Sequence, residues 1–209
     1  MTRVLANAVL LLLLLTYESA AQARTIRILV LGDSLAAGYG LPVEDGFQAR
    51  MTAALRARGL DVQLVDAAVS GDTTSGGRAR LEWALADGAD AALVELGGND
   101  GLRALPPAST AANLRTILDT LQSRRIPVLL SGMLAPPNLG QEYGDAFKSV
   151  FTEIGTRPGV IYDPFFLEGV AGEAALTQPD RSHPNAEGVR RSVARLLPAM
   201  ERLVAQVPP

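Results

Sequence analysis

The sequence predicts one three-layer α/β domain with a five-stranded, mostly parallel sheet at its centre. Five short apolar segments alternate with longer segments whose apolar residues recur every three or four positions, a pattern typical of strands that alternate with helices. Residues 28–31 form an unbroken apolar run, which indicates a strand that is buried on both faces of the sheet. No linker or shift in composition divides residues 24–209, a length that suits a single domain with a sizeable core.

The predicted strands define the edge of the sheet at which a site would form. Pro127 fits the start of the fourth strand, because a missing backbone N–H is tolerated there. Right-handed crossovers between parallel strands would place all five carboxyl ends at one edge. The predicted strands are residues 27–32, 62–67, 91–96, 127–132 and 159–163.

The predicted helices lie between and after these strands. A short helix is expected to start at Ser34, and Gly59 is expected to end the helix that follows it. Pro184 suits the first position of the last helix, which Pro198 is expected to kink. Apolar stripes at helical spacing and the lengths between strands predict the longer helices over residues 47–55, 78–86, 114–121, 147–154 and 189–200.

Composition excludes several classes of function. The net charge of -3 gives no support to nucleic-acid binding, which normally requires a basic patch. The absence of cysteine excludes disulfides, thiolate catalysis and cysteine-ligated metal sites. The sequence leaves the oligomeric state open, with a monomer expected for a chain of this kind.

Residues 1–23 have the features of a secretory signal peptide. An apolar run from Val4 to Leu15 follows the positively charged Arg3, and the small-x-small pattern of a cleavage site ends at Ala23. A membrane span needs roughly 20 apolar residues, so the run is too short for a stable membrane anchor. We therefore expect cleavage after Ala23 and export to the periplasm or the medium. The alternative is an uncleaved N-terminal anchor.

Three predicted strands lead into the candidate site residues Ser34, Gly71 and Asn99. Ser34 would lie at the carboxyl end of the central strand, where open α/β sheets bind ligands, and at a helix N-terminus, a position that suits a nucleophile. The Ser34 and Gly71 N–H groups and the Asn99 amide could donate to the oxyanion of acyl transfer. The alternatives are a helix cap for Ser34, a turn glycine for Gly71 and an Asx turn for Asn99.

The chain contains one histidine, His183, so any imidazole base must be this residue. Asp180 lies three residues earlier, close enough in a tight turn for its carboxylate to hold one ring nitrogen. The other nitrogen would then be free to take the Ser34 proton. The alternative is a surface histidine beside a loop or capping acid. Three other aspartates near the strand ends are rival partners for the ring: Asp33, Asp72 and Asp100.

Four motifs, in order, resemble the blocks of the SGNH (GDSL) hydrolase family. The longer runs 69–74 and 95–103 look like those of an exported subgroup of thioesterases, arylesterases and lysophospholipases. The resemblance spans nearly all of residues 24–209 and implies a flavodoxin-like SGNH fold for this catalytic domain. The motifs are Gly32-Asp33-Ser34-Leu35, Gly71 within Ser-Gly-Asp-Thr, Gly97-Gly98-Asn99-Asp100 and Asp180-x-x-His183.

The resemblance also implies a role for each site residue. Ser34 would be the nucleophile, His183 the base and Asp180 the residue that orients it, with an oxyanion hole made by Ser34, Gly71 and Asn99. The implied activity is that of an exported serine esterase that hydrolyses small-molecule carboxylic esters and thioesters without a metal or organic cofactor. A carbohydrate acetylesterase of the same family and a non-catalytic secreted binding module are the alternatives.

The substrate pocket is the part that the sequence determines least. Residues that follow the third and fourth strands are expected to line an acyl groove, and the alternative is that they only pack on the domain. Ser182 stands where the subgroup often carries an apolar residue, and the loop 133–143 differs in sequence from the relatives. Neither difference affects the catalytic residues, but the second leaves the acyl-chain preference open. The candidate groove residues are Leu102, Arg103, Met133, Leu134, Pro136, Pro137 and Asn138.

Overall fold

The computed structural model describes residues 24–208, in which five strands form one sheet in the order β2-β1-β3-β4-β5. All neighbouring strands are parallel, which confirms the α/β class and the five-stranded sheet. The predicted signal peptide, residues 1–23, lies outside the described residues. The strands are β1 (Ile26–Gly32), β2 (Val62–Ala68), β3 (Ala91–Glu95), β4 (Val128–Ser131) and β5 (Val160–Asp163).

Strand β1 lies inside the sheet, because its residues pair with both β2 and β3. Residues 28–31 are fully buried, as the unbroken apolar run predicts. A Cβ on Gly32 would lie 2.6 Å from the Ala36 Cβ and 2.7 Å from a carboxylate oxygen of Glu95. The end of β1 therefore requires glycine because there is no space for a side chain.

Helices cover both faces of the sheet. Within residues 24–208 they are α1 (Ser34–Ala37), α2 (Phe47–Ala57), α3 (Thr74–Ala84), α4 (Gly98–Leu102), α5 (Pro107–Ser123), α6 (Gln141–Gly155) and α7 (Ala186–Ala205). Helix α2 packs against α7 on one face, while α5 packs against α3 and α6 on the other. This is the predicted three-layer arrangement, with the short helices α1 and α4 at the edge of the sheet. None of the described helices is both long and apolar enough to cross a membrane.

Helix α3 begins at Thr74 rather than within the predicted range 78–86, and it ends at Ala84. The helical pattern is weak at its start because two of its first residues are glycines, which are poor helix formers. Thr73 caps the helix, and a Cβ on Gly77 would lie only 2.3 Å from the Leu96 side chain. Glycine therefore allows α3 to pass close to the end of β3, a tertiary requirement that helical periodicity does not reveal.

Helix α7 begins at Ala186, so the expectation that Pro184 occupies its first position is wrong. Asn185 caps the helix, because its side-chain oxygen accepts two backbone N–H groups of the first turn. Pro184 instead forms an isolated bridge with Thr177. Pro198 lies inside α7, which continues past it.

The carboxyl ends of β1 and β3 meet at the point where the strand order reverses. These two strands are neighbours in the sheet, although β2 lies between them in sequence and on the far side of β1. In open α/β sheets a ligand-binding crevice forms outside the carboxyl ends at such a switch point. Ser34 follows β1 and Asn99 follows β3, so two of the candidate residues lie at this crevice.

Candidate active site

Ser34 is the first residue of α1 and lies two positions after the end of β1. Asp33 caps α1, because its carboxylate accepts the Leu35 N–H at 3.0 Å. The alternative role of Ser34 as the helix cap therefore does not apply. The Ser34 hydroxyl is left half-buried at the carboxyl edge of the sheet, and its backbone N–H belongs to the first helical turn, where no intrahelical acceptor exists.

The His183 ring lies between Ser34 and Asp180. Its Nε2 is 2.9 Å from the Ser34 Oγ, and its Nδ1 is 2.7 Å from an oxygen of the Asp180 carboxylate. Because an ionised carboxylate can only accept, Nδ1 donates its proton to Asp180 and Nε2 is left as the acceptor for the Ser34 hydroxyl. The ring thus has the tautomer that a general base for Ser34 requires.

The rival aspartates are engaged elsewhere. Asp72 pairs with Arg80 at 2.6 Å, Asp33 caps α1, and Asp100 accepts the backbone N–H and the hydroxyl of Thr74. Of the four aspartates that the sequence offers as partners for the ring, only Asp180 forms a hydrogen bond with it in the described part of the chain.

Local hydrogen bonds hold Asp180. Its second carboxylate oxygen accepts the backbone N–H groups of His183 at 3.0 Å and of Ser182 at 2.9 Å. Hydrogen bonds lower the pKa of Asp180 to about 2. The backbone N–H of His183 contributes most, followed by the backbone N–H of Ser182 and the His183 ring. The carboxylate therefore stays ionised and keeps the ring oriented well into the acidic range.

Two buried carboxyl groups lie behind Ser34. Asp33 is 1% exposed and Glu95 is fully buried, and Glu95 accepts the Asp33 backbone N–H at 3.1 Å. Burial raises the pKa of Asp33 to about 6, even though hydrogen bonds from Leu35 and Asn99 oppose this shift. Burial and, to a lesser extent, the Asp33 charge raise the pKa of Glu95 well above its usual range, which favours its neutral form.

The three candidate oxyanion donors, Ser34, Gly71 and Asn99, line one cavity. The Asn99 amide donates to the Asp33 carboxylate at 3.1 Å, which fixes the side chain near Ser34 and leaves its second N–H for a ligand. Gly71 has a left-handed backbone with φ 83°, and Arg103 donates to its carbonyl at 2.8 Å. Both the backbone conformation and a neighbouring side chain therefore restrain the Gly71 loop.

A buried network joins the Gly71 and Asn99 segments. Asp100, next to Asn99, accepts two hydrogen bonds from Thr74, three residues after Gly71, and a third from Thr110. Asp100, Thr74 and Thr110 are buried. The packed interior therefore sets the separation of two of the candidate donors.

The cavity beside Ser34 has a volume of about 730 Å³, within the usual range for small-molecule sites. Two of the predicted groove residues do not line it. Asn138 is exposed in the short 3-10 turn Pro137–Leu139, and Arg103 instead contacts the Gly71 loop. The predicted groove residues that do line the cavity are Leu102, Met133, Leu134, Pro136 and Pro137.

Several other lining residues were not predicted. The Tyr39 ring lies 4.7 Å from the His183 ring, centre to centre, and the Tyr39 carbonyl accepts the Gln178 side-chain amide at 2.7 Å. The available sequence signal for Tyr39 was an aromatic residue between two glycines, five positions after Ser34. No comparable signal marks the other residues that line the cavity, which include Phe165, Leu167, Ala171 and Arg181.

The arrangement suits nucleophilic acyl transfer. A serine hydroxyl, a base of fixed tautomer and candidate amide donors face one largely apolar cavity, and together they can cleave an acyl–oxygen or acyl–sulfur bond. Within residues 24–208, no group of three or more histidine, aspartate or glutamate side chains is placed to hold a metal ion.

Comparisons with known proteins give consistent matches over most of the chain. Residues 30–191 match the GDSL-like Lipase/Acylhydrolase family. Esterase TesA of Pseudomonas aeruginosa is 38% identical over 205 residues, which cover 98% of this chain and 100% of TesA. Thioesterase 1/protease 1/lysophospholipase L1 of Escherichia coli (strain K12) is 37% identical over 179 residues, which cover 85% of this chain and 83% of the relative. The crystal structure of AlinE4, an SGNH-hydrolase family esterase, matches with a TM-score of 0.73 and 42% identity, over 90% of this chain and 100% of AlinE4.

Proposed function

Because the chain belongs to the GDSL-like lipase/acylhydrolase family, we propose that Ser34, His183 and Asp180 perform its reaction as a catalytic triad. The chain is a serine hydrolase that acts on ester bonds, and the proposal concerns the residues that carry this activity. The observation that supports it best is the pair of contacts of the His183 ring, 2.9 Å to Ser34 and 2.7 Å to Asp180.

The proposed mechanism proceeds through an acyl-enzyme. The Ser34 Oγ attacks the acyl carbon while the Nε2 of His183 takes its proton, and Asp180 stabilises the resulting imidazolium. The Ser34 and Gly71 N–H groups and the Asn99 amide donate to the oxyanion of the tetrahedral intermediate. His183 then gives the proton to the departing alcohol or thiol. Water then attacks the acyl carbon of the acyl-enzyme while His183 takes its proton. The carboxylic acid leaves as His183 returns the proton to the Ser34 oxygen.

The proposed substrates are carboxylic esters and thioesters whose acyl chain is longer than acetyl. An acetyl group is much smaller than a cavity of about 730 Å³ with Leu102, Met133 and Leu134 on its wall. We expect kcat/KM to rise from p-nitrophenyl acetate to longer acyl esters, and we expect turnover of acyl-CoA and of a lysophospholipid. If acetylated xylan and the acetate ester are the best substrates of this panel, the acyl groove is misassigned and the acetylesterase alternative holds.

Covalent labelling tests the nucleophile directly. A fluorophosphonate should modify Ser34, as identified by peptide mapping, because it reacts with a serine that a neighbouring base activates. Ser34→Ala should abolish labelling and leave only background ester hydrolysis, whereas Ser149→Ala, at an exposed serine in α6, should behave like the wild type. A label on another residue, or near-wild-type turnover by Ser34→Ala, contradicts the proposal.

We also propose that residues 1–23 are a signal peptide and that the enzyme acts in the periplasm or outside the cell. The charged start, the short apolar run and the small residues up to Ala23 support this. Strand β1 begins only at Ile26, so cleavage after Ala23 removes none of the described strands or helices.

A further inference from the structure

Arg181, in the turn between Asp180 and His183, has a left-handed backbone with φ 62°. Ala104 and Arg125 are the other non-glycine residues with positive φ in the described part of the chain. Both follow helix ends, where this conformation is common, but Arg181 follows none. Residues with a side chain rarely adopt it elsewhere, and such strain is concentrated at functional sites.

Arg181 places a permanently charged residue at the wall of the cavity. It lines the cavity together with Ser182 and His183, and it is exposed. Among residues 24–208, no carboxylate lies within ion-pair distance of its guanidinium, and Asp180 is turned toward the His183 ring. The guanidinium is therefore available to an anion in a cavity whose other lining residues are mostly apolar.

The chemistry of the reaction indicates which part of the substrate approaches Arg181. His183 must deliver its proton to the departing atom, so the leaving group lies against His183 and the loop that carries it. We expect the acyl chain to lie toward the apolar side chains of Met133 and Leu134, which line the cavity and belong to the loop after β4. Arg181 is on the His183 loop and hence on the leaving-group side of the cavity.

We propose that Arg181 is a specificity residue that binds a phosphate group carried by the leaving alcohol or thiol. This inference rests on the proposed function, because it places the leaving group by the Ser34–His183 chemistry. A guanidinium offers a rigid fork of N–H donors that matches phosphate oxygens. Two leaving groups carry such a phosphate: the glycerophosphate of a lysophospholipid and coenzyme A.

Two matched substrate pairs test the proposal. Decanoyl-4′-phosphopantetheine, the end of decanoyl-CoA that carries the thioester and one phosphate, is compared with decanoyl-pantetheine, and decanoyl lysophosphatidic acid with monodecanoylglycerol, so that within each pair the leaving groups differ only in a phosphate group. The readout is the ratio of kcat/KM for the anionic substrate to that for the neutral one. Arg181→Asn should lower this ratio about threefold to fivefold at low ionic strength, a size typical of exposed ion pairs. Asparagine tolerates the left-handed backbone. Arg181→Lys keeps the charge but not the fork of donors, so it should give a ratio between those of Arg181→Asn and the wild type. Added salt should lower the wild-type ratio.

Arg125→Asn is the matched control. Arg125 is also exposed with a left-handed backbone, φ 58°, but it lies in the loop before β4, at the opposite edge of the sheet. Its substitution changes the net charge equally and should leave the ratio unchanged. A lowered ratio in only one pair supports the proposal and identifies the source of the phosphate. An unchanged ratio for Arg181→Asn in both pairs overturns it, even if both substrates slow together, because a common loss reports altered His183 geometry. Failure of the proposed function would be recognised separately, because Ser34→Ala would then hydrolyse these substrates as fast as the wild type.

Discussion

At the scale of residues, the candidate triad combines one contact within a turn with one across the fold. Asp180 and His183 are three positions apart and share the hydrogen bonds of one turn, so they keep their relative geometry if the loop moves as a unit. Ser34 and His183 are 149 positions apart, and their separation depends on how that loop packs on the edge of the sheet. A disturbance of packing should therefore affect proton transfer from Ser34 before it affects the orientation of the ring.

Removal of the Asn99 amide should reduce turnover without loss of the fold. In Asn99→Ala we expect kcat to fall by roughly 100- to 1,000-fold, because one oxyanion donor typically contributes about 3–4 kcal/mol to the transition state. Esterase kinetics on a p-nitrophenyl ester give the measurement, and thermal unfolding shows whether the variant is intact. A folded variant with a kcat near that of the wild type would remove Asn99 from the oxyanion hole.

Titration of Asp33 should make stability decrease as the pH rises through the weakly acidic range. Its pKa is about 6 in the folded protein against an ordinary value of 3.8, so between these values the folded state binds more protons than the unfolded state. The stability that protonated Asp33 adds to the folded state is therefore fully present below pH 3.8 and is lost as the pH rises through 6. A shift of this size corresponds to about 2–3 kcal/mol.

The substitution Asp33→Asn removes this titration. Relative to the wild type, its free energy of unfolding should rise by about 2–3 kcal/mol between pH 4 and pH 7, as measured by urea denaturation at several pH values. The same change at Asp87, an exposed aspartate in the loop before β3, is the charge-matched control. If the difference in free energy of unfolding between Asp33→Asn and the wild type does not vary with pH, burial of Asp33 has no effect on its pKa.

At the scale of elements, the start of α7 also anchors the segment that carries His183. The Asn185 oxygen caps α7, while its amide donates to the carbonyls of Ala175 and Thr177. The Gln178 N–H then donates to the His183 carbonyl at 2.8 Å. The segment that carries His183 is thus tied at its end to a long, well-packed helix.

Asn185→Ala should lower the free energy of unfolding by about 1–2 kcal/mol, because a helix cap and two side-chain bonds are lost together. Urea denaturation measures this. Asn185→Asp keeps the capping oxygen but loses the amide donor, so it should be destabilised less than Asn185→Ala. Equal stability of Asn185→Ala and the wild type would show that neither set of bonds contributes.

At the scale of the whole molecule, the order of the strands creates the site. Because the chain crosses from β2 on one side of β1 to β3 on the other, the loops after β1 and β3 diverge and leave a crevice between them. Ser34 and Asn99 stand at its two sides, and the loop before α7 brings His183 to it. No segment of the chain contains the site by itself.

Export can be tested on the full chain in a bacterial host. Mass spectrometry of the exported protein should give an N-terminus at Arg24, because signal peptidase cleaves after small residues such as Ala23. Replacement of Ala23 by Asp should block processing. A wild-type protein that keeps Met1 contradicts the proposed cleavage.

Much of the architecture could be predicted from local pattern, since burial leaves a periodic record in the sequence. The apolar run 28–31 indicated the buried strand β1, and Gly59 was expected at the end of α2, where it has φ 79°. The prediction of helix positions failed where a tertiary contact overrides the local sequence preference. Gly77 weakens the helical signal of α3 because the side chain of Leu96 needs the space, and α4 is too short to show a helical period.

By itself, the sequence determined the α/β class, the order of the elements and the residue types available for catalysis, because these follow from local periodicity and from the presence of a single histidine. The three-residue spacing also indicated the Asp180–His183 pair, because a tight turn limits the distance between its ends. Only the tertiary structure decided that Asp33 caps α1, that Asn138 lies outside the cavity, and that Tyr39 and Arg181 line it. Those outcomes depend on how strands and loops distant in sequence pack together, and no local pattern encodes that packing.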